Sequence, residues 1–243
     1  MTEKQRTRGS NLNKNITPIY NDLQKLGSEF FGTFMLLLII IGSGIMGNNL
    51  ASGNIAIALL SNAIATGTGL YFLISIFGSI SGAHFNPIVT VFFQTQKDIP
   101  NRLAYGYIGV QILGGLLGVW FSHFIFELPV FQFSTHVRTG FPQWASEILA
   151  TTGLLLTIVL GTRHAGNQVP VLVGSYITAA YWFTSSTSFA NPAVTIARSF
   201  SDTFAGIRPE DVIHFILAQS IGLGLGIFLL RFFEPKVKET NRP

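Results

Sequence analysis

Long uncharged and largely apolar stretches alternate with short polar segments along this 243-residue chain. Residues 30–96 contain no Asp, Glu, Lys or Arg, and three further uncharged runs cover 103–126, 164–197 and 212–230. Each run is close to or longer than the ~20 residues that cross a hydrocarbon core about 30 Å thick. A water-facing surface cannot be built from such runs. The pattern therefore predicts a multi-span membrane protein embedded in the lipid bilayer.

Six membrane-spanning helices fit these runs. They are predicted at 26–46, 55–77, 103–126, 144–161, 168–186 and 212–233. An N-terminal tail, 1–25, precedes them, and a C-terminal tail, 234–243, follows. Because six is an even number, both tails lie on one side, and that side carries most of the Lys and Arg residues. The opposite side has three arginines, Arg138, Arg198 and Arg208. Since basic residues accumulate on the cytoplasmic side, both termini are expected there, in a plasma or inner membrane.

The remaining composition excludes several classes of protein. The pI of about 9.5 does not indicate nucleic-acid binding, because the basic residues lie in the tails and loops without the interleaved aromatic residues of a single-strand binder. The chain has no Cys, which excludes disulfides and thiolate metal sites. Its His residues have no carboxylate at ligand spacing, and no nucleophile–base set occurs. We expect no metal, no cofactor, no nucleic-acid partner and no enzyme activity.

An internal repeat divides the chain into two similar units, about 26–126 and 144–233. Ser-Glu opens the first and fourth spans at Glu29 and Glu147, and Gln-x-x-Gly recurs in the third and sixth spans. Between them, the segment Asn86-Pro87-Ile88-Val89-Thr90 matches Asn191-Pro192-Ala193-Val194-Thr195. Each unit has an odd number of spans, so the second unit is inverted in the membrane. Inverted repeats place a functional pathway at their interface.

Each Asn-Pro pair begins a segment that is too short to cross the membrane. Asn is a favoured N-cap and Pro a favoured first helical residue, so Asn86 and Asn191 are predicted to start short helices. A helix from Asn86 to Gln96 would be about 16 Å long, or half a bilayer. Two such half-helices would meet with their N-termini at the midplane. Irregular backbone at that depth is tolerated where it lines a water-filled path or is buried in protein.

These features resemble the aquaporin and aquaglyceroporin family. Ser81-Gly-Ala-His-Phe-Asn-Pro87 is similar to its first signature and Asn191-Pro192-Ala193 to its second. The resemblance implies an all-α membrane protein with six transmembrane helices and two re-entrant half-helices, packed as a homotetramer with one pore per subunit. It also implies that 26–233 is a channel domain that passes water or small uncharged solutes passively. The pore-midplane residues would then be Asn86, Pro87, Ile88, Asn191, Pro192 and Ala193.

Positive helix ends and asparagine amide donors at the midplane would repel protons and other cations. Two acids lie inside spans, Glu29 and Glu147, and intramembrane acids are functional by default. One interpretation is a proton relay. The other, which the resemblance favours, is that each carboxylate accepts hydrogen bonds from backbone N–H groups of a re-entrant loop. His84 is similarly expected beside the pore, in its cytoplasmic half.

The predicted selectivity filter departs from the family pattern. The family usually has an arginine three residues after the second Asn, where this chain has Val194. Counting without gaps gives Thr66, Ala179 and Ser188 as the other three filter positions. Since an arginine both fills space and supplies a rigid fork of donors, its absence predicts a wider, less polar mouth. Arg198, one turn beyond Val194, either restores charge in the outer vestibule or is an interfacial snorkelling residue. Ile88 is a second departure, expected to add bulk at the half-helix junction.

Aquaglyceroporin-like proteins associated with bacterial arsenic resistance share the arginine-less run Asn-Pro-Ala-Val-Thr-Ile-Ala-Arg. The resemblance therefore implies a channel for polyols such as glycerol and metalloid hydroxides such as arsenous acid. Three alternatives remain open at this point. They are a mainly water-conducting aquaporin, a proton-coupled transporter, which would need titratable groups along its path, and a non-conducting structural membrane protein.

Overall fold

The computed structural model describes residues 19–234, and the remainder of the predicted tails, 1–18 and 235–243, lies outside these residues. The described part is all-helical. Its α-helices are α1 Asp22–Leu50, α2 Ile55–Ser81, α3 Pro87–Thr95, α4 Asn101–Ile125, α5 Phe141–Ala165, α6 Val169–Phe183, α7 Pro192–Arg198 and α8 Pro209–Phe232. A short 3₁₀ turn, Gly166–Gln168, joins α5 to α6, so that Phe141–Phe183 forms one nearly continuous apolar helical stretch.

The six long helices correspond to the six predicted spans, although several begin earlier than the apolar runs. α1 starts four residues before the predicted boundary because Asn21 and Gln24 form a capping box, with each backbone N–H donating to the other side chain over 2.9 Å. α5 starts at Phe141, directly after Gly140, whose φ of 104° few other residues adopt. A capping box in α1 and a glycine with positive φ before α5, rather than hydrophobicity, thus set these helix starts.

Glycines allow corresponding helices to approach closely in the two repeats. In the first repeat, a Cβ at Gly114 or Gly118 on α4 would collide with the carbonyl oxygens of Phe30 or Phe34 on α1. In the second repeat, a Cβ at Gly222 on α8 would lie 2.8 Å from the carbonyl oxygen of Ile148 on α5. Small residues at helix crossings are the usual means of packing helices in membranes.

The two short helices are the predicted half-helices. α3 has 9 residues and α7 has 7, and each begins with Pro directly after an extended Asn cap, Asn86 or Asn191. The two helices contact one another, and each capping asparagine donates to a carbonyl oxygen of the loop before the other half-helix. The predicted fold class, six membrane-spanning helices and two re-entrant half-helices, is confirmed.

Candidate functional site

A cavity of about 340 Å³, hereafter the lumen, runs past the junction of the two half-helices. Its lining extends from Asp98, beyond the C-terminal end of α3, to Arg198 at the C-terminal end of α7. Helices of both repeats contribute apolar side chains, such as Ile40 of α1, Leu70 of α2 and Ile177 of α6. The segments 81–86 and 188–191, which precede the half-helices, supply half of the polar side chains in the lining. The lumen is therefore amphipathic along its length.

Asn86 and Asn191 lie in the lumen wall and hold the half-helices together. The Asn86 amide nitrogen donates to the carbonyl oxygen of Ala190 over 2.8 Å, and the Asn191 amide nitrogen donates to that of Phe85 over 2.8 Å. Each side-chain oxygen also caps its own helix, as Asn86 does by accepting from the backbone N–H of Ile88. An amide nitrogen carries two hydrogens. One donor of each asparagine thus remains for a molecule in the lumen.

The loops before the half-helices have the same unusual backbone conformation. Ala83 and Phe85 in the first loop and Ser188 and Ala190 in the second all have positive φ, between 47° and 51°. Residues other than Gly, Asn and Asp rarely adopt this left-handed region, which costs on the order of 1–3 kcal/mol per residue. Such a conformation persists only where surrounding contacts fix it, and two buried glutamates supply those contacts.

Glu29 on α1 supports the first loop. One carboxylate oxygen accepts from the backbone N–H of His84 over 2.9 Å and from the Ser81 hydroxyl over 2.6 Å. The other accepts from the backbone N–H of Phe85 over 2.7 Å and from the Gln111 side chain on α4 over 2.8 Å. All four partners are donors, so the site suits an ionised carboxylate. Glu29 is fully buried and does not line the lumen.

Glu147 on α5 has the equivalent surroundings in the second repeat. Its carboxylate accepts from the backbone N–H groups of Phe189 and Ala190 over 2.9 and 2.8 Å. The Ser186 hydroxyl and the Gln219 side chain on α8 donate to it over 2.6 and 2.7 Å. Glu147 is also fully buried and is absent from the lumen wall. The inverted repeat thus conserves the hydrogen-bond network as well as the helix order.

Gln111 and Gln219 belong to this network, although sequence reasoning treated their segments only as matching repeats. Each also donates to the threonine of its own repeat's Asn-Pro segment, Thr90 over 3.0 Å and Thr195 over 2.9 Å. Both glutamines are fully buried. The signal was present in the sequence, because a Gln recurring at the same place in two apolar spans requires a polar partner.

Three of the four expected filter residues, Thr66, Ser188 and Val194, line the lumen near its Arg198 end. The prediction for the fourth, Ala179, is wrong, because its side chain is exposed on the outer surface of α6. The lumen-facing residues of α6 are Val169, Val173, Ile177 and Tyr181. They are spaced four residues apart, so they share one face of the helix. Ala179 was misplaced because the gapless count from Asn191 did not allow for the extended segment that joins α6 to α7.

Tyr181 therefore replaces Ala179 as the α6 residue at this end of the lumen. Its hydroxyl donates to the Thr66 hydroxyl over 3.2 Å. The ring adds bulk where an alanine was expected, so this part of the lumen is narrower than a Thr, Ala, Ser and Val ring implies. The hydroxyl pair also makes one side of the mouth polar.

The residues that follow the two asparagines are buried but do not line the lumen: Pro87, Ile88, Pro192 and Ala193. Ile88 packs into an apolar cluster with Phe92 of its own half-helix, Leu155 of α5 and Leu230 of α8. The expectation that Ile88 adds bulk at the half-helix junction is therefore wrong. Its side chain points to a helix interface because the half-helix presents only one face to the lumen.

His84 lies beside the lumen, as the sequence suggested, in the half that leads to Asp98. Its Nδ1 is 3.1 Å from the Thr90 hydroxyl. The ring stacks on Phe93 with centroids 4.9 Å apart and meets the Tyr107 ring edge-on. Phe93 also lines the lumen. These contacts hold the imidazole in one orientation.

Arg198 is a buried residue of the lumen wall with an exposed fraction of 2%, so the alternative of an interfacial snorkelling side chain is wrong. Its Nε donates to the carbonyl oxygen of Ala205. The guanidinium carbon lies 3.4 Å from the centroid of the Phe189 ring. α7 ends at Arg198, and the segment after it folds back over the guanidinium group.

A second arginine, Arg138, is also buried at this end of the site, which was not predicted from the sequence. It comes from the loop between α4 and α5, and its Nε donates to the carbonyl oxygen of Gly206 over 2.7 Å. One terminal nitrogen donates to the carbonyl oxygen of Ser186 over 3.2 Å, and the guanidinium carbon lies 5.0 Å from the Phe189 ring. Burial lowers the pKa of Arg138 to about 10, so the side chain stays charged at neutral pH.

Comparisons with known proteins agree with this architecture. The model of the family described as major intrinsic protein matches residues 17–188. Aquaglyceroporin AqpS of Rhizobium meliloti (strain 1021) is 44% identical over 218 residues, which are 88% of this chain and 93% of the relative. Nodulin-26 of Glycine max is 26% identical over 90% of this chain and 82% of its own length.

A solved structure, the X-ray structure of the aquaglyceroporin from Plasmodium falciparum, has a TM-score of 0.68. It covers 88% of this chain and 96% of its own, at 18% identity, and therefore shows the shared fold. Within residues 19–234, no group of three or more His, Asp or Glu side chains could hold a metal ion. The family model and the 44% identical relative show that this chain belongs to the major intrinsic protein family, whose members are channels for water and small neutral solutes rather than enzymes.

Proposed function

We propose that the protein is a passive channel for uncharged solutes larger than water, as well as for water. The solute classes are polyols such as glycerol and metalloid hydroxides such as arsenous acid. The observation that carries the proposal is Val194 in the wall of the lumen, in place of the arginine of many relatives. A valine leaves cross-section free and presents no fixed charge to a passing solute.

The amphipathic lumen supports this choice of solutes. Polyols carry both hydrocarbon and hydroxyl groups, and metalloid hydroxides carry several hydroxyl groups around a compact centre. Apolar residues such as Ile40 and Ile177 line the lumen, and Asn86, Asn191 and the hydroxyl of Ser188 supply hydrogen-bond groups. The Ser188 hydroxyl has no hydrogen-bond partner within the described residues. A permeating hydroxyl group would satisfy it.

Charge at the lumen supports exclusion of protons and cations. The N-terminal ends of α3 and α7 and the free amide hydrogens of Asn86 and Asn191 present positive potential at the half-helix junction. Arg198 adds a positive charge at one end. Within the described lining, Asp98 is the one carboxylate, and it lies at the opposite end.

The two buried glutamates are assigned to loop support. Glu29 and Glu147 are saturated by donors and do not line the lumen. A proton relay needs titratable groups that reach the permeation path. A proton-coupled transporter is therefore less well supported than a channel, and the contacts of the two glutamates support the role of holding the loops.

A mainly water-conducting channel is the second candidate. The observation that favours it is the pair Tyr181 and Thr66, whose hydroxyls meet 3.2 Å apart near the Arg198 end. If this pair sets the narrowest point, solutes larger than water would be retarded. The relative permeability of glycerol and water separates the two functions.

Assembly and membrane location complete the proposal. Many large apolar side chains are exposed on the single chain, including Leu60, Phe121 and Phe228. Such a surface suits contact with lipid and with other subunits, in accordance with a homotetramer. The distribution of Lys and Arg supports a plasma or inner membrane with both termini in the cytoplasm, so that the Arg198 end of the lumen opens outside.

Stopped-flow light scattering of proteoliposomes tests the proposal. Vesicles with the protein should shrink under an impermeant osmolyte and re-swell with glycerol or arsenous acid faster than protein-free vesicles. They should show no added proton or potassium conductance. Water flux without glycerol or arsenous acid flux would favour the water channel, and solute uptake that requires a pH gradient would favour the proton-coupled transporter.

A further inference from the structure

Two buried arginines from different parts of the chain converge on one aromatic ring at an end of the lumen. Arg198 comes from the end of α7 and Arg138 from the loop between α4 and α5. Their guanidinium carbons lie 3.4 and 5.0 Å from the centroid of the Phe189 ring. Exposed fractions of 2% and 7% show that both side chains are held inside the protein.

No carboxylate within the described residues forms an ion pair with either arginine. The neighbouring acids have other partners. Glu147 accepts from four donors of its own network. Asp211 accepts from the backbone N–H of Arg138 and pairs with Arg208. The two positive charges are therefore held by carbonyl oxygens and a ring face, without a carboxylate in direct contact.

Donor groups at this place remain open towards the lumen. The Nε of Arg198 is used by the carbonyl oxygen of Ala205, whereas its two terminal nitrogens have no hydrogen-bond partner within the described residues. The Ser188 hydroxyl, with an exposed fraction of 3%, also has none. Both residues line the lumen. Thus a guanidinium edge and a hydroxyl are available to the same bound molecule.

We propose that Arg198, Arg138 and Ser188 form a binding site for a small oxyanion at the Arg198 end of the lumen. A guanidinium edge matches two oxygens of one anion, and charge-assisted hydrogen bonds are about twice as strong as neutral ones. Arg198 and Ser188 contact the anion directly, and Arg138 acts from behind by adding positive potential. The ligand class is a compact anion with at least two terminal oxygens on one centre, such as a carboxylate or a phosphate.

Binding at this site has a consequence for transport. The same residues lie in the wall of the path taken by neutral solutes, so a bound oxyanion occupies part of the cross-section. To pass beyond the site, the anion would have to lose water against apolar lining residues such as Ile40 and Ile177, which is costly for a charged group, so it leaves through the end by which it entered. The oxyanion is accordingly a blocker from this side. This transport effect rests on the proposed function, whereas the binding itself does not.

The experiment has a binding arm and a flux arm, with inorganic phosphate at pH 7 as the probe and chloride at equal ionic strength as the reference. Isothermal titration calorimetry on the detergent-solubilised protein should show saturable phosphate binding. Arg198→Gln should abolish it, and Arg138→Gln should weaken it. Arg198→Lys, which keeps the charge but loses the fork, should bind with intermediate affinity. Arg102→Gln is the matched control, because Arg102 is exposed on α4 and carries the same charge.

In proteoliposomes, phosphate at a concentration equal to its Kd should slow glycerol re-swelling about twofold relative to chloride, since half of the sites are then occupied. Arg198→Gln should remove this sensitivity, measured against the variant's own glycerol flux in chloride, and a wild-type elution volume in size-exclusion chromatography shows that the variant is folded. Absence of phosphate binding by the folded wild-type protein would overturn the proposal. Equal binding by wild type and both Arg198 variants would also overturn it. Absence of glycerol flux in every variant would instead contradict the proposed function.

Discussion

The Asn86 amide nitrogen lies 2.8 Å from the carbonyl oxygen of Ala190 and donates a hydrogen bond to it. This bond joins the cap of the first half-helix to the loop that leads into the second. Asn191 makes the reciprocal bond to Phe85 over the same distance. The half-helix junction is therefore fixed by side chains from both repeats, and a change in either asparagine alters the whole junction.

Asn86→Asp tests what the amide group contributes. The carboxylate still caps α3 by accepting from Ile88, but it cannot donate to Ala190, and it adds a negative charge to the lumen wall. We expect a loss of about 1–3 kcal/mol of stability, because the new carboxylate and the carbonyl oxygen of Ala190 would face each other as two acceptors. We also expect a protein-dependent cation leak, because the charge offsets the positive potential of the helix ends. Potential-sensitive dyes in proteoliposomes measure the leak.

Asn62→Asp is the matched control for this change. Asn62 is buried between α2 and α1, and its amide nitrogen donates to the carbonyl oxygen of Ile40 over 2.8 Å, away from the lumen wall. The Asn62→Asp variant also loses a hydrogen bond from a side-chain amide to a carbonyl oxygen. We therefore expect a similar loss of stability without a cation leak. A leak of equal size in both variants would show that loosened packing, and not charge in the lumen, opens the path.

Glu29→Ala should destabilise the protein more than Glu29→Gln. A Gln at this position has one acceptor oxygen, while the loop presents two backbone N–H groups, those of His84 and Phe85, to different oxygens. One N–H therefore loses its acceptor, at about 1–3 kcal/mol. The Gln111 side chain adapts by rotating, because its own oxygen has no partner. Ala leaves both N–H groups unpaired and should cost roughly twice as much.

Thermal unfolding of the purified variants measures this order, and the glycerol flux of folded Glu29→Gln tests the role of the carboxylate. Glu147→Gln and Glu147→Ala should repeat the pattern, since the second network has the same donors. If the Gln variants unfold like wild type yet transport nothing, loop support is the wrong role and proton transfer becomes the better one.

Much of this architecture follows from the sequence because charge-free runs and the repeat are strong constraints. Membrane spans need long apolar runs, so the six long helices were predictable from the distribution of charged and apolar residues along the chain. The half-helices followed from Asn-Pro pairs in segments too short to cross. Helix ends such as Asp22 depended on polar capping groups, which lie outside the apolar signal.

The side chains at the Arg198 end were less predictable. Ala179 was misplaced because a gapless count cannot account for the irregular segment after α6, and Tyr181 took its place. Arg138 was missed because it lies in a loop that folds inward through hydrogen bonds to Gly206 and Ser186. No local sequence pattern predicts either hydrogen bond. Long-range loop packing is thus the part of the site that needed coordinates.

Gly114→Ala should destabilise the protein, because Gly114 lies where α4 crosses α1. The added Cβ would meet backbone atoms of α1, including the nitrogen of Phe34 at 3.3 Å, and backbone cannot move as a side chain can. Overpacking of this kind costs about 1–3 kcal/mol. Gly109→Ala on the same helix is the control, because nothing lies within 4 Å of its added Cβ.

Thermal unfolding in detergent compares the two variants. Gly109→Ala should unfold at or above the wild-type temperature, since Ala favours a helix by roughly 0.8–1 kcal/mol over Gly. Equal destabilisation of both would mean that α1 and α4 do not cross at Gly114.

The central claim is that the lumen passes neutral solutes larger than water because Val194 stands where many relatives have an arginine. Val194→Arg adds a long, permanently charged side chain beside Thr66 and Ser188. The largest solutes should lose permeability first, because they need the most cross-section. Val194→Leu is the matched control, since it adds some volume without charge or hydrogen-bond donors.

The deciding measurement is the ratio of glycerol permeability to water permeability in matched proteoliposomes of wild type, Val194→Leu and Val194→Arg. We predict that the ratio falls strongly in Val194→Arg, on the order of tenfold for about 1.4 kcal/mol of added barrier, and only slightly in Val194→Leu. Water permeability should change least. An unchanged ratio in a Val194→Arg protein that folds and inserts like wild type would contradict the account.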